Sequence, residues 1–260
     1  MGRWLLLDIG NSNTVAGIAE DGRVVSRVRY HTGADRTGDE YRALVKGLFA
    51  AARSGVPVPD AVDAIERVVC CSVVPALERT VRDAFAPTPT LIVDSRTKRE
   101  FDLDLPHPEQ LGSDRLANVA GALRLAAPPF VIVDAGTATT FCLVDSRPAY
   151  IGGAIAPGLE TGWRALRDRA ARLYGVDLVP PPSAVGNTTE TQIQSGVLIG
   201  YEALIEGLAD RLLGDAPAEF SRATFLATGG CMALLRPSVR FRIEPDLTLL
   251  GLLRYGELNG

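Results

Sequence analysis

The chain has 260 residues, of which 47% are apolar and 22% charged, with a formal net charge of −4. That is enough apolar material for one large domain or two small ones with a sizeable core, and it is neither a disordered nor a low-complexity composition. The basic excess that binding along a phosphate backbone requires is missing, so no nucleic-acid partner is expected.

Arginine supplies nearly all the positive charge: the lysines are Lys46 and Lys98, and the histidines His31 and His107. A phosphate loop ending in Gly-Lys-Ser/Thr and a paired-histidine metalloprotease helix are both excluded, and neither histidine sits in a motif that supports a Ser-His-Asp triad. The working acid or base is therefore expected to be a carboxylate. Cys70, Cys71, Cys142 and Cys231 show no C-x-x-C spacing, and most lie in or beside apolar runs, which predicts buried thiols. The apolar residues 4–7 are too few for a signal peptide. No uncharged apolar run approaches roughly 18 residues, so a cytoplasmic protein without a membrane span is expected.

In chain order, residues 4–7, 15–19 and 23–30 read as a strand meander, with Glu20-Asp21-Gly22 as a turn. Residues 39–53 carry Leu44, Val45, Leu48 and Phe49 at helical spacing, and Pro57 and Pro59 mark the exit. Residues 67–74 read as a buried strand closed by Pro75, residues 76–85 as a helix and residues 90–93 as a strand. Residues 101–112, rich in Pro and Asp, read as an exposed loop that delivers Gly112-Ser113-Asp114-Arg115 to a helix running through Leu125.

The opening pattern then recurs. Asp8-Ile9-Gly10-Asn11-Ser12-Asn13-Thr14 and Asp134-Ala135-Gly136-Thr137-Ala138-Thr139-Thr140 lie 126 residues apart and overlay without a gap, each with an apolar strand before and after it. The repeat implies two similar domains, residues 1–117 and 118–260, joined near residues 118–129 and facing each other across a cleft. The expected class is α/β, with mixed sheets flanked by helices.

A D-x-G-[NT]-[SA]-x-T turn suits a phosphate. Glycine lets the backbone come close, successive N–H groups and short hydroxyl side chains donate, and the strand-end Asp can hold a cation. Gly152-Gly153-Ala154-Ile155-Ala156-Pro157-Gly158 and Ala227-Thr228-Gly229-Gly230 follow strand-like runs. Each can be read as a tight turn, and the second also offers close backbone approach to an adenosine. Asp114 and Arg115 are read either as a first-turn helix acid with a surface charge, or as a general base with a holder of an anionic substrate.

Together these motifs resemble the type III pantothenate kinases, of the superfamily of acetate and sugar kinases, Hsp70 and actin. The pieces that carry the resemblance are Asp8-Ile9-Gly10-Asn11-Ser12, Ser72-Val73-Val74-Pro75, Leu111-Gly112-Ser113-Asp114-Arg115, Asp134-Ala135-Gly136-Thr137-Ala138-Thr139-Thr140, the glycine stretch from Gly152, Gly186-Asn187-Thr188 with Gln194-Ser195-Gly196, and Thr228-Gly229-Gly230. They span nearly the whole chain. The resemblance implies two ribonuclease H-like (actin-like ATPase) domains and ATP-dependent phosphorylation of the 4′-hydroxyl of pantothenate, the first step of coenzyme A synthesis.

By the same resemblance, Asp8, Ile9, Gly10, Asn11, Ser12, Asn13, Thr14 and Val15 would line the ATP phosphates, with Mg²⁺ accompanying the nucleotide, and Thr137 would touch ATP. Asp114 would be the base, with Gly112, Ser113, Arg115 and Thr188 at pantothenate. Asp134 would hold a monovalent cation, K⁺ or NH₄⁺, and the protein would be a homodimer. Leu105 stands where the family carries a Tyr. A nucleotide-binding regulator of the Bvg accessory factor type and another small-molecule kinase are the alternatives on this fold.

Overall fold

Residues 2–52, 62–169, 175–235 and 240–260 are described by the computed structural model. Arg53, Pro57 and Pro59, expected to end the first helix, lie outside them. The chain divides into two units. The first comprises Met1–Asp102, Pro106–Leu125 and Asp246–Gly260, and the second Leu103–Leu105 and Ala126–Pro245.

In the first unit, β1 (Trp4–Ile9), β2 (Asn13–Glu20) and β3 (Arg23–His31) form the antiparallel meander, while β4 (Arg67–Ser72) and β5 (Thr90–Ile92) extend it in parallel, in the order β3-β2-β1-β4-β5. Leu5, Leu6 and Leu7 are all fully buried, because this central strand is covered on both faces and loses the alternation of a half-exposed strand. Asp21 and Gly22 take positive φ between β2 and β3, as a primed hairpin turn requires.

Helices α1 (Gly38–Ala51) and α2 (Pro75–Phe85) bury Tyr41, Val45, Phe49, Leu77 and Val81 in one core with Leu5, Leu7 and Ile9. A reciprocal cap starts α1: Thr37 Oγ1 accepts from Glu40 N–H, and the Glu40 carboxylate accepts from Thr37 N–H. Pro75 opens α2, where its missing N–H costs nothing. Helices α3 (Ser113–Leu125) and α7 (Leu247–Leu258) pack together. A Cβ on Gly251 would lie 1.7 Å from the Ala117 carbonyl oxygen and one on Gly121 2.1 Å from that of Leu247, so the crossing depends on glycine. Asn118 Oδ1 accepts from the Thr248 hydroxyl inside it at 2.8 Å.

The second unit repeats the wiring. Here β7 (Phe130–Ala135), β8 (Ala138–Val144) and β9 (Ala149–Pro157) form the meander, and β10 (Thr224–Thr228) and β11 (Phe241–Ile243) the parallel wing. The order is β11-β10-β7-β8-β9-β6, with the short β6 (Asp102–Leu103) on the far edge. Helix α4 (Leu159–Arg169) follows β9. Farther on, α5 (Thr189–Gln194) runs through a π-helical turn, Ser195–Ile199, into α6 (Gly200–Asp215). Tyr201, Ile205 and Ala209 of α6 bury against Val133, Phe141 and Ala227 of the sheet.

Three local expectations differ from the structure. The glycine stretch from Gly152 is strand, not turn, through Pro157: Gly152 sits at φ +137° by a register shift in the β8–β9 ladder, and a Cβ on Gly153 would lie 1.7 Å from Phe141 O. The segment of residues 101–112 is only partly exposed. It carries β6 and a 3-10 turn at Pro108–Gln110, and Phe101 and Leu111 are buried. A boundary between residues 117 and 118 would cut α3, which stays whole in the first unit, while the C-terminal α7 returns to that unit across its sheet.

Candidate active site

In the first unit the candidate residues gather at the carboxyl ends of β1 and β4, where loops leave a parallel pair of strands and ligands of open α/β sheets bind. Asp8 is half-buried near the end of β1. Gly10 N–H donates to Asn13 O at 3.1 Å, closing a turn of four residues, Gly10 to Asn13, between the paired Ile9 and Thr14. A Cβ on Gly10 would stand 2.9 Å from that same Asn13 oxygen, so the turn closes tightly against its glycine. Asn11 is exposed, Ser12, Asn13 and Val15 are half-buried, and Thr14 is fully buried.

Cys71 stands opposite Asp8 in the β1–β4 ladder, and its thiol donates to Asp8 Oδ1 at 3.4 Å. Burial, followed by the charge of Asp8 and then by Cys70 and Asp114, pushes this thiol well above the usual range, so it remains a neutral S–H donor. Cys71 thus lies beside Asp8 across the ladder and directly precedes Ser72, the last residue of β4.

Asp114 owes its position to its neighbour. Ser113 Oγ accepts from Ser72 N–H and donates to Ser72 O, both at 3.0 Å, which ties the start of α3 to the last residue of β4. Ser113 is buried by this contact. Asp114 Oδ1 accepts from Arg115 N–H at 2.8 Å, and a Cβ on Gly112 would lie 2.4 Å from the same oxygen. Glycine at 112 thus leaves the space in which the Asp114 carboxylate rests.

The other candidates belong to the second unit. Asp134 is half-buried near the end of β7, opposite Thr228 of β10. Gly136 N–H donates to Ala138 O at 3.1 Å, and only three residues, Gly136 to Ala138, lie between the paired Ala135 and Thr139. The gapless overlay of the two motifs therefore holds as far as Gly10 and Gly136 and then slips by one residue. The structural counterpart of Thr14 is Thr139, not Thr140; Thr14 and Thr139 are both fully buried.

Thr137 is exposed, and its carbonyl accepts from Gly158 N–H and from Thr161 Oγ1. Gly229 takes φ +101°, and a Cβ there would lie 2.5 Å from Ala135 O. Of the two uses for that glycine pair, the tight turn is thus seen in the backbone. Thr188 is exposed and caps α5: its Oγ1 accepts from Thr191 N–H at 3.2 Å, while Thr191 Oγ1 accepts from Thr188 N–H.

Sequence reading passed over Thr32, which follows β3 and bonds to both sides of the first turn, and it took Cys71 only as core. Strand parity offered a signal for Cys71, since a parallel register sets it beside Asp8. All four cysteines are buried and free of disulfides, as expected. No helix among the described residues is long and apolar enough to cross a membrane.

Among the described residues, no group of three or more His, Cys, Asp and Glu side chains converges to hold a metal ion. Asp8 fits a divalent cation that arrives with a nucleotide, where one carboxylate suffices and phosphate and water oxygens supply the remaining ligands. Asp134, half-buried near the end of β7, offers carboxylate oxygens of the kind a hard cation takes.

A model of the type III pantothenate kinase family matches residues 4–211. A type III pantothenate kinase of Thermus thermophilus is 38% identical over 258 residues, 96% of this chain and 97% of that protein. One of Bacillus cytotoxicus is 35% identical over 260 residues, 98% of this chain and 95% of its own length. Among solved structures, MreB5 of Spiroplasma citri bound to ADP is similar at a TM-score of 0.57 and 11% identity, over 100% of this chain and 99% of that one. At that identity the likeness concerns the fold alone, which is that of the actin-like ATPases. With 35–38% identity over nearly the full length of curated relatives, and a family model that spans both turns and the Asp114 helix, the chain belongs to the type III pantothenate kinase family.

Proposed function

We propose that this chain, a kinase that phosphorylates pantothenate in coenzyme A biosynthesis, moves the γ-phosphoryl group of ATP to the 4′-hydroxyl with Asp114 as the general base. The observation that carries this reading is the pair of hydrogen bonds between the Ser113 hydroxyl and the Ser72 backbone, which sets Asp114 next to the carboxyl end of β4, the strand paired with β1 and its Asp8. Phosphoryl transfer asks a protein mainly to position groups and to stabilise spread negative charge. Asp114 orients the alcohol and accepts its proton, and backbone N–H groups at the tip of the first turn, beyond the Gly10–Asn13 bond that closes it, face the phosphate oxygens.

In this reading Asp8, Ile9, Gly10, Asn11, Ser12, Asn13, Thr14, Val15 and Thr137 form the ATP site. Gly112, Ser113, Arg115 and Thr188 serve pantothenate, with the Arg115 guanidinium matching a carboxylate. For Ser113 the contribution is through its placement, since its hydroxyl is engaged by Ser72. When bound, Mg²⁺ neutralises phosphate charge, and a monovalent cation at Asp134 does the same from the second turn. The working form is a cytoplasmic homodimer, without nucleic-acid or membrane partners.

A coupled assay of ADP release with pantothenate, with and without K⁺ or NH₄⁺, tests substrate and cation together. Release that depends on pantothenate and rises with the cation is expected. Release that needs no pantothenate, or that follows a different acceptor in a panel of alcohols and carboxylates, overturns the proposal.

A further inference from the structure

We propose that Thr32 is a positioning residue of the first phosphate turn, holding the Gly10 and Ser12 carbonyls back so that the turn receives ATP with its N–H groups forward. The inference rests on the reading of residues 8–15 as the ATP phosphate site. Thr32 directly follows β3 and is 8% exposed. Its N–H donates to Ser12 O at 3.0 Å, and its Oγ1 donates to Gly10 O at 2.8 Å. A hydroxyl has one proton, and that of Thr32 is committed to Gly10. The 2.9 Å contact between the Thr14 and Thr32 hydroxyls is therefore donated by Thr14, which is 0% exposed.

The result is a directed chain from Thr14 to Thr32 to the Gly10 carbonyl, with a second tie to Ser12. The peptide between Gly10 and Asn11 is planar and trans, so fixing its C=O towards Thr32 turns the Asn11 N–H the opposite way. Phosphate oxygens accept hydrogen bonds and repel carbonyl oxygens, so a turn whose carbonyls are held behind it binds an anion better than one free to rotate them forward. At the equivalent place after the third strand of the second unit stands Gly158, whose N–H donates to Thr137 O at 3.1 Å and whose Cβ, if added, would lie 2.1 Å from Gly136 O. The side chain that fastens that turn comes instead from Thr161, whose Oγ1 donates to the same Thr137 carbonyl at 2.6 Å. Threonine is accommodated in the first unit because that turn is one residue longer.

The test uses the full-length protein with two variants. Thr32→Val keeps the β-branched shape and removes the hydroxyl, whereas Thr32→Ser keeps the hydroxyl. Steady-state kinetics give KM for ATP and for pantothenate separately, calorimetry gives the affinity for a non-hydrolysable ATP analogue, and thermal melting checks the fold. For Thr32→Val, KM for ATP and the analogue Kd are expected to rise about tenfold, the loss of a buried hydrogen bond converted to an equilibrium constant. KM for pantothenate should change by less than about twofold, and Thr32→Ser should recover nucleotide binding to within about threefold of the parent.

Parent-like nucleotide binding in Thr32→Val, or equal damage in Thr32→Ser, overturns the proposal. Should Thr32→Val fail to fold, Thr32→Cys takes its place, because a thiol is a weak donor: its KM for ATP must exceed that of Thr32→Ser, and equality overturns the role. Asp8→Asn separates the two readings. If it weakens nucleotide binding while Thr32→Val does not, only the role of Thr32 falls. If neither variant affects nucleotide binding, the phosphate site itself is misplaced.

Discussion

The two hairpin turns begin alike and end differently. Both leave a central strand at an Asp, both close on a glycine N–H, and both return in a strand with a fully buried threonine. One extra residue in the first turn leaves room for the Thr32 side chain directly after the third strand, whereas the equivalent place in the second unit holds Gly158, whose N–H fastens the turn together with the Thr161 hydroxyl from the following helix. The neighbouring parallel strands diverge in the same way. Opposite Asp8 stands Cys71, followed by Ser72, which anchors Ser113 and so Asp114. Opposite Asp134 stands Thr228, followed by Gly229, which folds back against Ala135. A duplicated frame is thus kept by its buried strands and changed at strand ends, where a substitution costs little packing and can alter chemistry. The first turn acquires a carboxylate on a clamped helix, and the second becomes a compact backbone loop.

The largest expected effect breaks the chemistry of the first turn only. Asp114→Asn should cut turnover by at least about 10²-fold with melting temperature and nucleotide affinity unchanged, the usual cost of removing a general base. Near-parent turnover in a coupled assay would remove Asp114 from that role. Gly112→Ala, whose Cβ would strike the Asp114 carboxylate, should lower kcat by roughly tenfold, as a displaced reacting group does, while leaving KM for ATP within about twofold.

Gly158→Ala probes the second turn. Its Cβ would meet two backbone oxygens, of Gly136 at 2.1 Å and Thr137 at 2.5 Å, neither of which can move without opening the turn. A loss of about 3 kcal/mol in urea unfolding is expected, in the range of severe overpacking. A variant as stable as the parent would show that the second turn tolerates the longer geometry of the first.

A smaller effect concerns alkaline pH in both units. Burial, opposed by the bond from Tyr30 to Tyr41, pushes the Tyr30 phenol up to about 12. Burial, opposed by the bond with Thr139, does the same to Tyr201. Both groups are neutral when protonated, and their folded values exceed the unfolded value of about 10. Their contribution to stability is therefore complete below pH ~10 and is lost as pH rises towards 12. Melting temperatures across that interval should fall, and Tyr201→Phe should flatten the decline; a level profile would contradict the burial of these phenols. Smallest of all, Cys71 should resist alkylation by iodoacetamide at pH 8 in the folded protein and react on unfolding. Modification of the native protein at the rate of a free thiol would contradict its burial.

Much of the local structure was legible from residue patterns. The helix expected over residues 39–53 is observed as α1, and the strand of residues 67–74 as β4, within the usual fraying of element ends. Asp21-Gly22 announced its hairpin because few other dipeptides accept two positive φ values. The glycine stretch from Gly152 was misread because glycine marks close backbone approach in strands as well as in turns, and only the partner strand tells which. Thr32 was invisible for a related reason: nothing in a local window says that a residue at the end of the third strand returns to the turn between the first two.

What the amino-acid order determined by itself was the grammar: apolar runs of strand length, helical periodicity, two Asp-x-Gly turns half a chain apart, and an Asp-Arg pair at a helix start. These are short-range properties, set by side-chain sterics and by the spacing at which apolar groups share a face. Tertiary structure decided the register that slips by one residue between the two turns, the return of α7 to the first unit, and the pairing of Ser113 with Ser72. Each of these depends on hydrogen bonds between residues distant in the chain, whose partners exist only once the sheets have assembled.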